Sequence, residues 1–135
     1  DVCGMKPTYP IIADEKLEVA KLYNMLEGDA GVTSMGRTAV DNETVRTVYV
    51  IRPDKRIGLF LTYPMTTGRN FQEILRAIDS MQRTAKYKIA TPADWKPGEK
   101  VIIVPKVTNE EAKKIYPDGW DTIKPYLRKV PDPQK

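Results

Sequence analysis

Chemistry at neutral pH calls for a group that can attack an electrophile or move a proton, and this sequence offers few. It has no histidine and one cysteine, Cys3. That removes the commonest general base, the commonest metal ligand and any cysteine-built zinc site. Gly28, Gly31 and Gly36 match no phosphate-cradling spacing. Ser34 and Ser80 lack the glycine-flanked elbow of a hydrolase nucleophile. Two arginines remain. Arg46 lies within the β-branched and aromatic stretch Val45-Arg46-Thr47-Val48-Tyr49-Val50. A guanidinium there must be solvated or paired, because burying an unpaired charge is prohibitive. It is either a strand-end charge facing solvent or a structural carboxylate, or a fixed cation that stabilises a thiolate or polarises an oxygen substrate. Arg69, at the mouth of a helix, poses the same choice between surface charge and active-site cation.

The elements that must position these arginines follow from local pattern. Tyr9-Pro10-Ile11-Ile12-Ala13-Asp14 is a short apolar stretch ending at a good helix-capping residue. The spacing of Val19, Leu22, Tyr23 and Leu26 predicts a helix from about Glu15 to Leu26 with one apolar stripe, stopped near Gly28. Residues 28–43 read as an exposed polar loop. Val45 to Ile51 predicts a strand, and the unbroken apolar run Val48-Tyr49-Val50-Ile51 suggests a central one buried on both faces. Pro53-Asp54-Lys55-Arg56 is a turn, and Ile57 to Tyr63 is its hairpin partner. Asn70 and Glu73 form a capping-box start for a helix with Phe71, Ile74, Leu75 and Ile78 on its core face, ending near Ala85. After a boundary near residue 88 proline recurs seven times, from Pro92 to Pro133. Val101 to Val104 predicts a short strand, Thr108 with Glu111 a short helix, and Pro117-Asp118-Gly119 its end. Such a tail reads as a loose module with too little core to stand alone.

Composition narrows the class. Of the 135 residues 41% are apolar and 30% charged, ordinary for a globular chain. The net charge of +4 is uneven: residues 1–45 carry four basic and eight acidic side chains, residues 46–135 eighteen and ten. The basic residues are scattered singly, without an aromatic ladder, which argues against nucleic acid as partner. No apolar run is long enough to span a membrane. Asp1-Val2-Cys3-Gly4 lacks the regions of a secretion signal, and a lone cysteine has no internal disulfide partner. A soluble cytoplasmic protein is expected.

At these residues the sequence resembles the one-cysteine (peroxiredoxin-six-like) peroxiredoxins of the AhpC/TSA family. The matching segments are Tyr9-Pro10-Ile11-Ile12-Ala13-Asp14, Thr44-Val45-Arg46, Pro53-Asp54-Lys55-Arg56 and Tyr63-Pro64-Met65-Thr66-Thr67-Gly68-Arg69-Asn70-Phe71-Gln72-Glu73-Ile74-Leu75-Arg76. They continue with Ala90-Thr91-Pro92-Ala93-Asp94-Trp95-Lys96-Pro97-Gly98-Glu99 and Pro125-Tyr126-Leu127-Arg128. The loop before Thr44 departs from the animal members, and Thr44-Val45-Arg46 is closer to bacterial ones. The resemblance implies an α/β fold: the C-terminal part of a thioredoxin-like domain over residues 1–88, then a small α+β dimerisation domain over 89–135.

It further implies a thiol peroxidase that reduces hydroperoxides, is restored by an external thiol, needs no cofactor and forms homodimers. Arg46 takes the place of the arginine that lowers the thiolate pKa and orients the peroxide, and Arg69 that of a supporting arginine. Cys3 lacks the family's preceding proline and threonine. It stands where some members carry a second, non-catalytic cysteine, so the peroxidatic cysteine belongs to an N-terminal half outside this chain. Asp54 stands where animal members carry the acid of a phospholipase triad, although its place in the Pro53-Asp54-Lys55-Arg56 turn is the better explanation. Two other readings are a non-enzymatic interaction domain on the same fold and, weakest, a basic nucleic-acid module.

Overall fold

A computed structural model describes residues 4–133, so Cys3 lies outside the described residues. Contacts divide the chain into two compact units, residues 1–69 and 70–135. In the first, helix α1 spans only Glu18–Leu22, shorter at both ends than its apolar spacing predicts. The reason is local. Asp14 and Leu17 sit at φ 48° and 59°, left-handed values that no helix can propagate. The Asp14 carboxylate instead accepts from the backbone N–H groups of Val19 and Ala20 at 3.0 and 2.8 Å, capping the helix across a turn. Asn24, at φ 52°, is left-handed after α1, four residues before the Gly28 stop that the sequence predicts. The predicted stripe is not a core face: Leu22 is 78% exposed, while Leu17 is the buried residue of this segment.

Strand β1 (Arg46–Ile51) pairs antiparallel with β2 (Ile57–Tyr63), as the hairpin pattern predicts. From the turn outward Ile51 faces Ile57, then the register shifts so that Val50 faces Leu59, Thr47 faces Thr62 and Arg46 faces Tyr63. Gly58 is the extra residue on β2, the signature of a β-bulge. Tyr49 packs edge-on against Tyr23 with centroids 5.0 Å apart, and its hydroxyl donates to the Tyr23 carbonyl at 2.9 Å. Among the described residues β1 has β2 as its single strand neighbour. The expected central position, with burial on both faces, is therefore not found among the described residues. The run Val48-Tyr49-Val50 is half-buried and Ile51 exposed.

The second unit overturns the expectation of a loose tail. Helix α2 (Phe71–Lys86) opens as predicted, with the Asn70 side chain accepting from the Glu73 N–H at 3.1 Å. Of its predicted core face Ile74 is buried, whereas Phe71 and Leu75 are exposed. Strands β3 (Ile89–Ala90), β4 (Val101–Ile103), β5 (Asp121–Lys124) and β6 (Leu127–Val130) form an antiparallel sheet in the order β3-β4-β6-β5. Helix α3 (Asn109–Ile115) is capped by Thr108, whose hydroxyl accepts from the Glu111 N–H at 3.2 Å. The chain's main core is here: Trp95, Val101, Ile103, Ala112 and Val130 are wholly buried, with Ile89 and Val107 beside them. Prolines do not break this unit, because they fall between its elements. Pro92 and Pro97 flank Trp95 in the β3–β4 loop, Pro105 follows β4, Pro117 follows α3 and Pro125 turns β5 into β6. Arg83 ties α2 to the chain end, donating to the Pro133 carbonyl at 2.7 Å and pairing with Asp132 at 3.4 Å.

Candidate functional site

Arg46 is the first residue of β1, at the open end of the hairpin. Side chains alternate along a strand, so Arg46 shares one face with Val48, Val50, Leu59, Leu61 and Tyr63. Its charged head thus ends an otherwise apolar surface. The Nε atom is buried and has no hydrogen-bond partner among the described residues. A buried donor left unsatisfied is costly, and such groups mark places where a partner binds or strain is stored. Guanidinium fits the task of holding an anionic or developing anionic oxygen, because it stays protonated and presents its donors in a fixed planar fork.

Arg69 lies beyond the turn that follows β2, in which the Thr67 N–H donates to the Pro64 carbonyl at 2.9 Å. Because Arg46 faces Tyr63 across the ladder, the chain leaves the hairpin for Arg69 from the same end that carries Arg46. Asp54 sits at the other end, in the turn. Five strand steps separate Arg46 from Ile51, about 16 Å at strand rise. Asp54 is occupied there: its carboxylate accepts from the Arg56 N–H at 3.1 Å and pairs with Arg52 at 3.4 Å. These bonds stabilise a turn in which Lys55 adopts φ 62°, and they account for Asp54 without catalysis.

The other face of the hairpin carries a feature that the sequence reading did not single out. Thr47 is 8% exposed, and its hydroxyl lies 2.9 Å from that of Thr62 directly across the ladder. Two threonines at facing positions of adjacent apolar strands are the available signal, but it is read only once the register is known. In the second unit Arg128 is a buried charge that local sequence pattern does not mark. It is 4% exposed, donates to the Val107 carbonyl at 2.6 Å and to Asn109 Oδ1 at 2.8 Å, and lies 5.8 Å over the Trp120 ring. These bonds brace β6 against the start of α3, which is a structural task.

Four carboxylate and phenol environments are perturbed, among them Glu110, whose carboxyl is held below its ordinary value by its own backbone N–H and the Thr108 hydroxyl. The hydrogen bond from Arg76 holds the Glu73 carboxyl below its ordinary value. Hydrogen bonds from the Thr38 hydroxyl and N–H do the same for Asp41, and burial pushes the Tyr116 phenol up. None of the four adjoins Arg46 in sequence or across the ladder. Among the described residues no group of three or more His, Cys, Asp or Glu is placed to hold a metal, and no helix is long and apolar enough to cross a membrane.

Residues 80–119 match the family model described as the C-terminal domain of 1-Cys peroxiredoxin. A 1-Cys peroxiredoxin of Dictyostelium discoideum is 50% identical over 131 residues, which is 97% of this chain and 51% of that protein. The solved structure of a peroxiredoxin 6 variant from Arenicola marina superposes with TM-score 0.75 at 45% identity, over 99% of this chain and 61% of that one. A yeast mitochondrial 1-Cys peroxiredoxin, whose thiol is resolved via glutathione/thioredoxin systems, superposes with TM-score 0.72 at 42% identity, over 92% and 56% of the two chains. The chain spans about half the length of the curated relatives it matches.

Proposed function

Since this chain belongs to the one-cysteine peroxiredoxins, as the C-terminal portion of one, we propose that the intact protein is a thiol-dependent peroxidase for hydrogen peroxide and alkyl hydroperoxides. Its peroxidatic cysteine lies outside residues 1–135. In the reaction a thiolate attacks the distal peroxide oxygen and the O–O bond breaks. The cysteine becomes a sulfenic acid, and the leaving oxygen takes a proton to depart as water or alcohol. An external thiol then reduces the sulfenic acid. A glutathione- or thioredoxin-type reductant is the proposed class, by analogy with the yeast mitochondrial relative.

One observation carries the assignment of residues: the Nε of Arg46, buried and without a partner among the described residues, at the end of an apolar strand face. In this reading Arg46 stabilises the thiolate and orients the peroxide, and Arg69 supports the same pocket. Residues 1–88 then complete a thioredoxin-like domain, and residues 89–135 are the C-terminal dimerisation domain. The protein is a cytoplasmic homodimer. Its interface includes the outer edge of β2, where Ile57 and Phe60 stay exposed and no second strand neighbour exists among the described residues.

The test is Arg46→Met in the full-length protein. Removing one preorganised donor from a water-poor site slows catalysis by about 100-fold or more. The thiolate limb of the pH–rate profile should move to higher pH at the same time. An unchanged profile would return Arg46 to a structural role.

A further inference from the structure

We propose that the Thr47–Thr62 hydroxyl pair is a register lock that positions Arg46. The inference rests on the reading of Arg46 as an active-site residue and adds a positioning pair to it. The turn sets one register, with Ile51 opposite Ile57, and the open end of the hairpin runs in another, one residue displaced. Continued without the bulge at Gly58, the turn's register would put Thr47 opposite Leu61 and Arg46 opposite Thr62. A one-residue slip exchanges the two faces of β2. Arg46 would then share its face with Thr62 and Phe60 instead of Leu59, Leu61 and Tyr63. The Thr47 hydroxyl would stand among leucines. The turn therefore does not by itself decide which neighbours Arg46 has.

The hydroxyl pair discriminates between the two registers at the point nearest Arg46. Thr47 is almost fully buried and Thr62 exposed, and their hydroxyls meet at 2.9 Å, part-buried, only in the observed register. Apolar alternation favours the same arrangement by placing Val48 against Leu61 and Val50 against Leu59. The threonines add the polar term, one that apolar packing cannot imitate. They do this immediately beside Arg46 and Tyr63, at the end of the ladder farthest from the turn.

The experiment uses the full-length protein with three variants. Thr47→Val combined with Thr62→Val removes both hydroxyls, leaves no orphan and keeps the volume, so the melting temperature should stay near wild type. The lock predicts that this variant nevertheless loses about tenfold in kcat/KM at neutral pH. Its thiolate limb should move up by about one unit. Thr47→Ser, which keeps the hydroxyl, should retain the wild-type profile. Arg46→Met is run alongside. If Arg46→Met shifts the profile and the double variant does not, the lock is refuted while the role of Arg46 survives. If Arg46→Met leaves the profile unchanged, the reading of Arg46 fails, and cross-strand NOEs of the 135-residue chain decide the lock alone. Unaltered 46–63 and 47–62 pairing with wild-type amide exchange in the double variant overturns it. Signals of the slipped pairing, with Arg46 opposite Thr62, support it.

Discussion

Replacing Trp95 by alanine should unfold the second unit. Trp95 is wholly buried among Ile89, Val101, Ile103, Val107, Ala112 and Val130, and its indole N–H donates to the Glu99 carbonyl at 3.0 Å. A buried tryptophan truncated to alanine costs about 3–5 kcal/mol in lost transfer and cavity energy. The lost indole hydrogen bond adds about 1 kcal/mol. A unit spanning residues 70–135 has a total stability of about 3–10 kcal/mol at the usual value per residue. The substitution therefore removes about two-fifths of it or more. Thermal unfolding followed by far-ultraviolet dichroism, with tryptophan fluorescence in a Trp120→Phe background for the wild-type reference, gives the measurement. In that reference Trp95 should emit in the blue and shift red in a single transition. In Trp95→Ala the transition should fall by more than 15 °C or vanish, at about 4–8 °C per kcal/mol for a domain of this size. A melting temperature within 5 °C of wild type would refute the view that this tail is an independently packed core centred on Trp95.

Three other outcomes follow from the same structure. The 135-residue chain alone should show no thiol-dependent turnover of hydrogen peroxide, and turnover abolished by Cys3→Ser would overturn the placement of Cys3 as a bystander. Leu59→Lys, which sets a charge on the apolar face of β2, should shift sedimentation from dimer to monomer without loss of helical dichroism; wild-type chain that is already monomeric at tens of micromolar would move the interface elsewhere. Glu73 bonds Arg76 at 2.6 and 2.8 Å and its carboxyl is held below the ordinary value of 4.5. Its contribution is thus present above that value and lost as pH falls through the depressed one. Glu73→Gln should accordingly melt lower than wild type near neutrality and match it at strongly acid pH, as read by paired thermal melts.

The features legible in the sequence are those decided within a few residues. Asn70 with Glu73 and Thr108 with Glu111 announce the starts of α2 and α3, because a capping side chain bonds an N–H three residues on. The hairpin is legible for the same reason: the Arg52 and Lys55 backbone bonds close the Pro53-Asp54 turn between two β-rich runs. The resemblance carried by Thr67-Gly68-Arg69-Asn70-Phe71 and Thr91-Pro92-Ala93-Asp94-Trp95 reaches the family directly, since it needs no geometry. Even Arg46 could be marked from sequence, as a charge out of place in an apolar strand.

What lay beyond reach depends on partners distant along the chain. The stripe Val19-Leu22-Tyr23-Leu26 reads as a helix face, yet the Asp14 carboxylate and left-handed Leu17 confine α1 to Glu18–Leu22. The proline-rich tail reads as loose because proline frequency says nothing about position; once its prolines fall between strands, β3, β4, β5 and β6 close a sheet over Trp95. The bulge at Gly58 and the facing of Thr47 with Thr62 are choices between registers one residue apart, and both registers satisfy the same local propensities. By itself the sequence determined the family resemblance, the capped starts of α2 and α3, and Arg46 and Arg69 as candidates for chemistry. The tertiary structure alone decided which side of the hairpin Arg46 occupies and where the core lies, because burial and strand pairing are set by contacts between residues that local pattern treats as independent.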